Sequence, residues 1–318
     1  DRYSLANTYY LKYGDSIKVQ NQWIDNLNRN HEYRVQLTYM EPVFTNHFIE
    51  INYSYQHRSS LSEKYAYDWN DLEDSYSQYP DTAQSDCYKN KYSIHQVGAF
   101  FRTIRTNYFY NIGIEIEPQQ TTNQSYMRDT TLEYSSRNAI NYAPTMNFKY
   151  TFSKQTTLRI NYRGRTTQPS MTDLYSKNDI SDPLNIRLTN PNLKPSFNNN
   201  ISATFNTYFT ETLRSFNANF SYSNTINSTT RIVTYDENTG GRTTQPTNVN
   251  GNWRINGSFT FSTPLSNKKF TVNTYTNANY GNSVGFTVLN KESDAVKSNT
   301  TNLFLSERLK GNYRSDLI

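Results

Sequence analysis

The sequence predicts an all-β fold, namely an antiparallel up-and-down transmembrane β-barrel with about 11–12 strands. Three observations lead to this prediction. Large and polar residues alternate along most of the chain, which is the period of a β-strand with two different faces. Aromatic residues make up 15% of the sequence. Short and long connections alternate between the predicted strands, so the two ends of the sheet differ.

The composition indicates an ordered chain that lacks an ordinary apolar core. The 318 residues are 35% hydrophobic, and the mean hydropathy is −0.87, values that alone suggest weak folding. The 28 Tyr and 17 Phe argue against disorder, because disordered chains contain few aromatic residues. No apolar run approaches the roughly 18 residues of a membrane-spanning helix. A membrane crossing would therefore have to use strands.

The clearest alternation lies in YAPTMNFKYTFS, residues 142–153. Its even positions include Tyr142, Met146 and Phe148, whereas its odd positions carry Ala, Thr, Asn, Lys and Ser. The same pattern predicts further strands around residues 33–39, 49–55, 108–116, 157–165, 201–209, 216–222, 253–261 and 270–280. We count about eleven complete strands and a twelfth that has begun.

The connections between these strands fall into two classes. Short turns are predicted near residues 41–46, 104–107, 153–156, 210–212, 264–267 and 310–313. Long polar loops are predicted near residues 59–90, 118–138, 166–195, 235–248 and 282–296. Tight turns at one end and elaborate loops at the other are typical of outer-membrane barrels.

A soluble antiparallel sandwich would also show alternation, with its apolar face in a core. Three features favour the membrane barrel over the sandwich. The strands reach about ten residues, as a tilted bilayer crossing requires. Aromatic residues cluster near the strand ends, as interfacial girdles do, and the other face is rich in Asn, Thr, Ser, Arg and Gln, which suits a watery lumen.

Several function classes find no support in the sequence. The net charge of +5 comes without a Lys/Arg block, so nucleic acid is not expected as a partner. The single cysteine, Cys87, excludes an internal disulfide framework. No Ser/His/Asp arrangement, nucleophile elbow or Gly-rich phosphate loop occurs, so we expect no enzyme activity and no cofactor.

Metal binding is not expected either. The four histidines, His31, His47, His57 and His95, show no ligand spacing. The densest oxygen cluster is DWNDLED, residues 68–74, which lacks the Gly and Glu of an EF-hand. A solvated acidic loop is the expected structure, and a calcium site in this loop is the alternative.

One long loop carries a more specific sequence. It reads RTTQPSMTDLY at residues 165–175 and SDPLNIRLTNPNLKP at residues 181–195. This loop resembles that of TonB-dependent outer-membrane receptors, particularly the version in the Bacteroidetes outer-membrane β-barrel family. Residues 39–55, YMEPVFTNHFIEINYSY, resemble a strand–turn–strand segment of that family. Thr189 and Ser196 depart from the family pattern, which usually has Gly and Glu there.

The resemblance implies a barrel of about 22 strands that is filled by a plug domain. It implies a protein of the Gram-negative cell outer membrane that imports a scarce solute with energy from the TonB complex. No plug or TonB-contacting box is recognisable in this sequence, so we expect residues 1–318 to form a partial barrel domain without the plug and the remaining strands. The implied partners are outer-membrane lipid, the TonB complex through the plug, an unknown small solute and, as a further option, a surface lipoprotein.

The candidate substrate contacts lie on one predicted strand and the loop after it: Arg159, Arg163, Arg165, Gln168, Asp173 and Tyr175. The three arginines share the polar face of the strand. They could attract an anionic solute, or they could pair with carboxylates on neighbouring strands or on the plug. The loop could contact substrate directly, or it could be a structural buttress at the barrel rim, stiffened by Pro191 and Pro195.

Three functions are therefore compared. Import by a TonB-dependent receptor is the principal hypothesis. A non-transporting outer-membrane barrel, acting as scaffold or adhesin, is the second. A soluble β-rich glycan-binding module, using the Tyr and Trp residues of segments such as 65–79, is the third.

Overall fold

The protein is built around one large β-sheet. A computed structural model describes residues 2–10, 16–82, 84–127, 130–175, 178, 182, 184–236, 240–265, 269–288 and 296–313. These residues form a sheet of 16 strands and a single short helix. Among the same residues, no helix is both long enough and apolar enough to cross a membrane.

Most of the strands are much longer than those of a typical globular protein. In chain order the elements are β1 (Arg2–Tyr10), β2 (Ser16–Phe44), β3 (His47–Asn70), β4 (Ser75–Tyr76), β5 (Asp86–Ile104), β6 (Tyr108–Met127), β7 (Thr130–Ser153), β8 (Thr156–Thr167), α1 (Met171–Tyr175), β9 (Asn185–Arg187), β10 (Ser196–Phe209), β11 (Arg214–Ile226), β12 (Ser228–Tyr235), β13 (Arg242–Val249), β14 (Asn252–Pro264), β15 (Phe270–Val288) and β16 (Val296–Tyr313).

Twelve of these strands form a continuous antiparallel wall, which comprises every strand except β4, β9, β12 and β13. The chain runs up and down through this wall, since each wall strand pairs with the preceding and following wall strands. The predicted antiparallel up-and-down arrangement is confirmed. Within the described residues the wall does not close, because β1 pairs only with β2 and β16 only with β15.

The four remaining strands lie at the loop end of the wall. β12 and β13 form an antiparallel hairpin between β11 and β14. Two short parallel pairings attach it to other elements: β12 pairs with β15, and β9 pairs with β13. β4 pairs with the last residues of β3. The predicted loop at 235–248 is therefore mostly part of a hairpin.

The register aligns an apolar residue from each of ten wall strands in a single row. The row consists of Ile49, Phe101, Ile112, Met146, Tyr162, Ile201, Tyr222, Ile255, Tyr280 and Leu303. No second layer covers this face in the described part of the chain, where Phe152 is 59% and Phe220 is 47% exposed. The sandwich alternative is therefore wrong, because its apolar face would be sealed in a core.

The row one position further along each strand consists mainly of polar and small residues, and it lies on the other face of the wall. It contains Glu50, Phe100, Gly113, Thr145, Arg163, Asn200, Ser223, Arg254, Gly281 and Asn302. Phe100 is its single large apolar member, and its ring lies against Gly113. A Cβ on Gly113 would lie 2.3 Å from Phe100 Cδ1 and 2.4 Å from the Ala99 carbonyl oxygen, so this site requires glycine.

Aromatic rings border the apolar face at both ends. At the turn end, ring contacts run from Tyr150 through Phe152, Phe205 and Phe216 to Phe259, with centroid distances from 4.6 to 6.5 Å. At the loop end, Trp253 contacts Tyr280 at 5.0 Å, and Tyr33 contacts Tyr55 at 6.1 Å. Trp253 and Phe261 are about 26 Å apart along β14 at ~3.3 Å per residue. This spacing is comparable with the roughly 25 Å apolar band of outer-membrane barrels.

Several loop predictions are wrong because the strands continue far beyond the apolar band. β3 extends to Asn70 and β5 starts at Asp86, so much of predicted loop 59–90 is strand. β6 and β7 likewise occupy most of predicted loop 118–138, and β16 continues through the turn predicted at 310–313. Of predicted loop 282–296, residues 289–295 lie outside the described residues. Beyond the band both faces of the strands are exposed to water. The alternation of apolar and polar residues is therefore lost there, although the hydrogen bonds between the strands continue.

Candidate functional site

Residues 168–195, called the rim loop here, connect β8 to β10 at the loop end of the wall. Ser170 caps helix α1, because its Oγ accepts the Asp173 backbone N–H at 3.0 Å and donates to Asp173 Oδ2 at 2.7 Å. The Asp173 carbonyl oxygen accepts the Asn190 N–H at 2.7 Å. Asp173 also forms an ion pair with Arg231 on β12, at 4.0 Å. Asp173 therefore connects α1 to the descending leg of the loop through its backbone, and to the β12–β13 hairpin through its side chain.

A small apolar cluster fixes the rim loop against the wall. Met171 and Leu174 from α1 and Leu193 from the descending leg of the loop are all buried, and they pack with Tyr92 of β5. Leu193 is 3% exposed. Because Leu193 is the leucine of the NPNLKP segment, this segment brings the loop's own apolar anchor to the wall.

The descending leg is also hydrogen-bonded to β13 and the residues near it. Asn190 Nδ2 donates to the Pro246 carbonyl oxygen at 2.9 Å. The Lys194 N–H donates to Asn248 Oδ1 at 2.7 Å, and Asn248 Nδ2 returns a bond to the Lys194 carbonyl oxygen at 3.0 Å. β10 then begins at Ser196, where alternation resumes in the sequence. These contacts support the buttress interpretation of this leg.

The rim loop roofs a cavity of about 450 Å³ on the polar face of the wall, called the rim cavity here. Its walls come from β3, β5, β6, β7 and β8, and its roof comes from residues 168–174. Three arginines line it: Arg58, Arg137 and Arg165. Arg58 and Arg137 belong to one cross-strand row, in which Arg58 faces Tyr92, Tyr92 faces Thr121, and Thr121 faces Arg137.

Amide side chains connect the roof of the rim cavity to its wall. Gln168 Nε2 donates to Asn141 Oδ1 at 2.6 Å, and Asn141 Nδ2 donates to Gln119 Oε1 at 3.3 Å. Gln119 Nε2 continues the chain to Thr121 Oγ1 at 2.9 Å. Gln168 Oε1 is buried and has no hydrogen-bond partner in the part of the chain that the structure describes.

The wall below the cavity carries a second polar network. Arg34 Nη2 donates to Gln96 Oε1 at 2.7 Å, and Gln96 Nε2 donates to Glu117 Oε1 at 2.5 Å. Ser54 Oγ also donates to Gln96 Oε1, at 2.8 Å. Glu117 is the single carboxylate among the described residues that line the rim cavity, and this network already holds it.

The structure separates the six candidate contacts into different positions. Arg165 and Gln168 line the rim cavity. Arg159 and Arg163 lie on the same polar face, but lower on β8 and outside the cavity. Asp173 caps α1. Tyr175 is the last residue of α1, and its side chain lies outside the described part of the structure.

No ion pair within 4.0 Å joins Arg159, Arg163 or Arg165 to a carboxylate in the described part of the chain, although Arg163 and Arg165 interact electrostatically with Glu115. Arg159 instead faces Lys149 across the β7–β8 pair. Like charges placed directly opposite each other are destabilising in a sheet. Two positive charges therefore lie side by side on the polar face at this position.

Sequence reasoning missed Arg58, Tyr92 and Arg137. Arg137 falls within the predicted loop 118–138, and Arg58 and Tyr92 border the predicted loop 59–90, outside the residue ranges predicted as strands. A signal existed for Arg58, which continues the even-numbered polar positions of β3 beyond Ser54 and Gln56. No such signal separates the faces near Arg137, where both faces of β7 are polar.

Other reactive groups offer no competing site among the described residues. No group of three or more His, Cys, Asp or Glu side chains there could hold a metal ion. Asp68 of the acidic segment accepts a hydrogen bond from Gln22 Nε2 at 2.6 Å. Cys87 is buried on β5, about ten residues beyond the apolar band, and burial raises the pKa of its thiol.

Comparison with protein families identifies the fold. The profile of the outer membrane protein beta-barrel family matches residues 1–316. The chain belongs to this family. No match is found among curated proteins.

Two solved structures are similar to this outer-membrane barrel at the level of general shape. The siderophore receptor PirA from Pseudomonas aeruginosa has 8% identity and a TM-score of 0.38, covering 98% of this chain and 73% of that chain. The outer membrane transporter YddB from Escherichia coli has 10% identity and a TM-score of 0.35, covering 84% of this chain and 48% of that chain. Scores this low carry no conclusion about function.

Family membership gives the two faces of the wall their environments. The protein is located in the outer membrane, so the apolar face contacts lipid and the polar face lines the interior of the barrel. The third candidate function, a soluble glycan-binding module, is therefore wrong. The rim cavity lies on the interior face, below the connections that outer-membrane barrels direct outwards.

Proposed function

We propose that the chain forms part of the wall of a TonB-dependent receptor that imports a scarce solute across the outer membrane. The rim loop contributes to the outer binding region, and the TonB complex supplies energy through a plug domain. The protein acts as a transporter and not as an enzyme. The rim-loop sequence supports a Bacteroidetes source, since it resembles the form found in that group.

The observation that carries the proposal is the roofed cavity on the interior face. A barrel that served only as a scaffold would have no need of an open, arginine-lined site whose roof is pinned to the wall by both apolar and polar contacts. Small-molecule sites are typically concave and pre-formed in this way. A solute that enters from the loop end would pass this site, which supports a role of the site in import.

A non-transporting scaffold or adhesin is the competing function, and one observation favours it. The β2–β3 hairpin continues about 50 Å beyond the apolar band at ~3.3 Å per residue. Aromatic side chains also meet on this extension, where Trp23 stacks on Tyr67 at 4.9 Å and Trp69 contacts Tyr76 at 5.0 Å. Such a projecting surface suits attachment to another molecule.

Growth and uptake measurements separate these functions. We expect a strain that lacks the full-length protein to lose uptake of at least one limiting nutrient. We expect a strain that lacks TonB to lose uptake of the same nutrient, because both are required for one transport step. The test is uptake of each member of a panel of single limiting nutrients by the wild type and the two deletion strains.

The deletion strains also define the contrary results. Normal uptake of every nutrient without the protein, together with a defect in surface attachment, would favour the scaffold. Loss of a nutrient in the first strain but not in the TonB-deficient strain would refute TonB dependence while leaving transport intact. The control for each strain is restoration of uptake by a plasmid-borne copy of the gene that was deleted.

A further inference from the structure

We propose that the rim cavity binds a small hydroxylated anion, specifically a sugar acid or sugar phosphate. This inference rests on the proposed function, since it names the class of solute that the importer would take. It depends on the charge, the hydrogen-bonding groups and the size of the cavity.

The charge of the rim cavity favours an anion. Its described lining contains three guanidinium groups and one carboxylate. In the described residues, none of the three lining arginines has a carboxylate within ion-pairing distance. The carboxylate, that of Glu117, is hydrogen-bonded to Gln96. The positive groups therefore remain available to a carboxylate or phosphate, which guanidinium groups bind through paired N–H donors.

Two of the guanidinium groups are held in place by contacts that leave their donors largely open. Arg58 lies over the ring of Tyr92, with its Cζ 5.7 Å from the ring centroid. Arg137 Nη2 makes a long contact of 3.5 Å with the Leu193 carbonyl oxygen. Leu193 belongs to the apolar cluster of the rim loop, so docking of the loop and placement of Arg137 are connected.

The hydrogen-bonding groups indicate that the anion also carries hydroxyl groups. Gln168 donates to Asn141 and thereby fixes its own amide, with Oε1 buried at the roof. Buried acceptors nearly always have a hydrogen-bond partner, so this oxygen needs a donor, which a bound ligand can supply. A sugar hydroxyl is such a donor, and Gln119 and Thr121 provide further amide and hydroxyl partners on the wall.

The size of the cavity fits this class. Its volume of about 450 Å³ lies within the range of roughly 300–1,000 Å³ that is usual for small-molecule sites. The lining also contains apolar side chains, namely Ile94, Ala139, Pro169, Met171 and Leu174, so the carbon ring of a sugar can pack against the cavity beside its polar groups.

Binding to the full-length protein in detergent tests the proposal without any transport assay. The probes are glucuronate, glucose 6-phosphate and glucose. We expect both anions to bind at least about tenfold more tightly than glucose, because a charge-assisted hydrogen bond is lost with the neutral sugar. The carboxylate and phosphate arms show which anion the site prefers. Isothermal titration calorimetry at low and at high salt measures the affinities.

Three variants locate the binding. Arg165→Gln and Arg137→Gln are expected to weaken anion binding by about tenfold to a hundredfold, since each removes one charged donor. Arg254→Gln is the matched control, because it removes a guanidinium group from the same face of the wall but outside the rim cavity. The affinity of the Arg254→Gln variant for both anions should equal that of the unmodified protein. Circular dichroism and heat-modifiable migration check that each variant is folded.

The contrary outcomes are distinct from failure of the transport proposal. A dissociation constant of 10 mM, on the order of 3 kcal/mol of binding free energy, is about the weakest that calorimetry resolves. The inference would be overturned if neither anion bound at a concentration of about 10 mM. Equal affinity for glucose, or an equal loss with Arg254→Gln, would also overturn it. Anion binding that persists in a protein with no role in uptake would uphold the cavity assignment and refute the transport proposal.

Discussion

Replacing Phe220 by arginine should destabilise the folded barrel by about 2–4 kcal/mol, whereas replacing its neighbour Asn219 should have little effect. Phe220 lies on the lipid face of β11 and is 47% exposed there. Asn219 lies on the interior face, where it pairs with Thr204 and Ser258. A guanidinium group that faces lipid loses its hydration, but one that faces the interior keeps it. The two substitutions introduce the same side chain one position apart.

Urea unfolding in lipid vesicles, followed by heat-modifiable migration, measures this difference. The expected result is a lower unfolding midpoint for Phe220→Arg and a midpoint for Asn219→Arg close to that of the unmodified protein. Equal destabilisation by both variants would show that the two faces share one environment. Greater destabilisation by Asn219→Arg would reverse the assignment of the faces.

The second large effect concerns the rim loop, where Leu193→Ala should weaken docking by about 2–5 kcal/mol. Leu193 packs with Met171, Leu174 and Tyr92, and its truncation leaves a cavity in this small cluster. The loss is local, because the hydrogen-bonded wall does not depend on the cluster. Residues 168–195 should therefore exchange their amide protons faster while the wall strands remain protected.

Hydrogen exchange with mass spectrometry reads the loop and the wall separately. Leu184→Ala is the matched control, since Leu184 lies in the same loop but is 37% exposed. Unchanged exchange of the rim loop in Leu193→Ala would show that this cluster does not hold the loop. Faster exchange throughout the wall would show that the loop is instead part of the global folding unit.

The sequence predicts the wall best where lipid meets one of its faces. The β7–β8 turn, predicted at residues 153–156, lies between Ser153 and Thr156 as expected. This agreement has a physical cause: a strand between lipid and water must alternate, so its pattern also fixes its register. The pairing of Phe148 with Ile160 across this turn follows from that alternation.

Other elements could not be predicted because no such constraint acts on them. In the outer part of the β2–β3 hairpin, Asn28 pairs with Ser62, and neither face there is distinguished by burial. The parallel pairings of β9 and β12 each involve only three residues. β9 itself has only three residues, which is too short to leave a readable period in the sequence. These elements depend on the docking of loops, which is a tertiary effect.

The residues of the candidate site also differ in how well the sequence predicts them. Arg165 and Gln168 were predicted because they border a recognisable strand and a specific loop sequence. Arg58 and Arg137 reach the rim cavity from parts of β3 and β7 that lie beyond the residue ranges predicted as strands. Asp173 was expected near substrate, but its carboxylate accepts a hydrogen bond from Ser170 and pairs with Arg231. Its role as a substrate contact stays a prediction.

Spin labels at successive positions of β11 test the central claim most directly, which is that alternate side chains of the wall face lipid and water. Single cysteines at residues 216–222, in a Cys87→Ala background and in lipid vesicles, would carry the label. Collision rates with oxygen, which concentrates in lipid, should be high at even positions, and rates with a water-soluble nickel chelate should be high at odd positions. Collision rates that do not alternate, or even positions shielded from both reagents, would contradict this account.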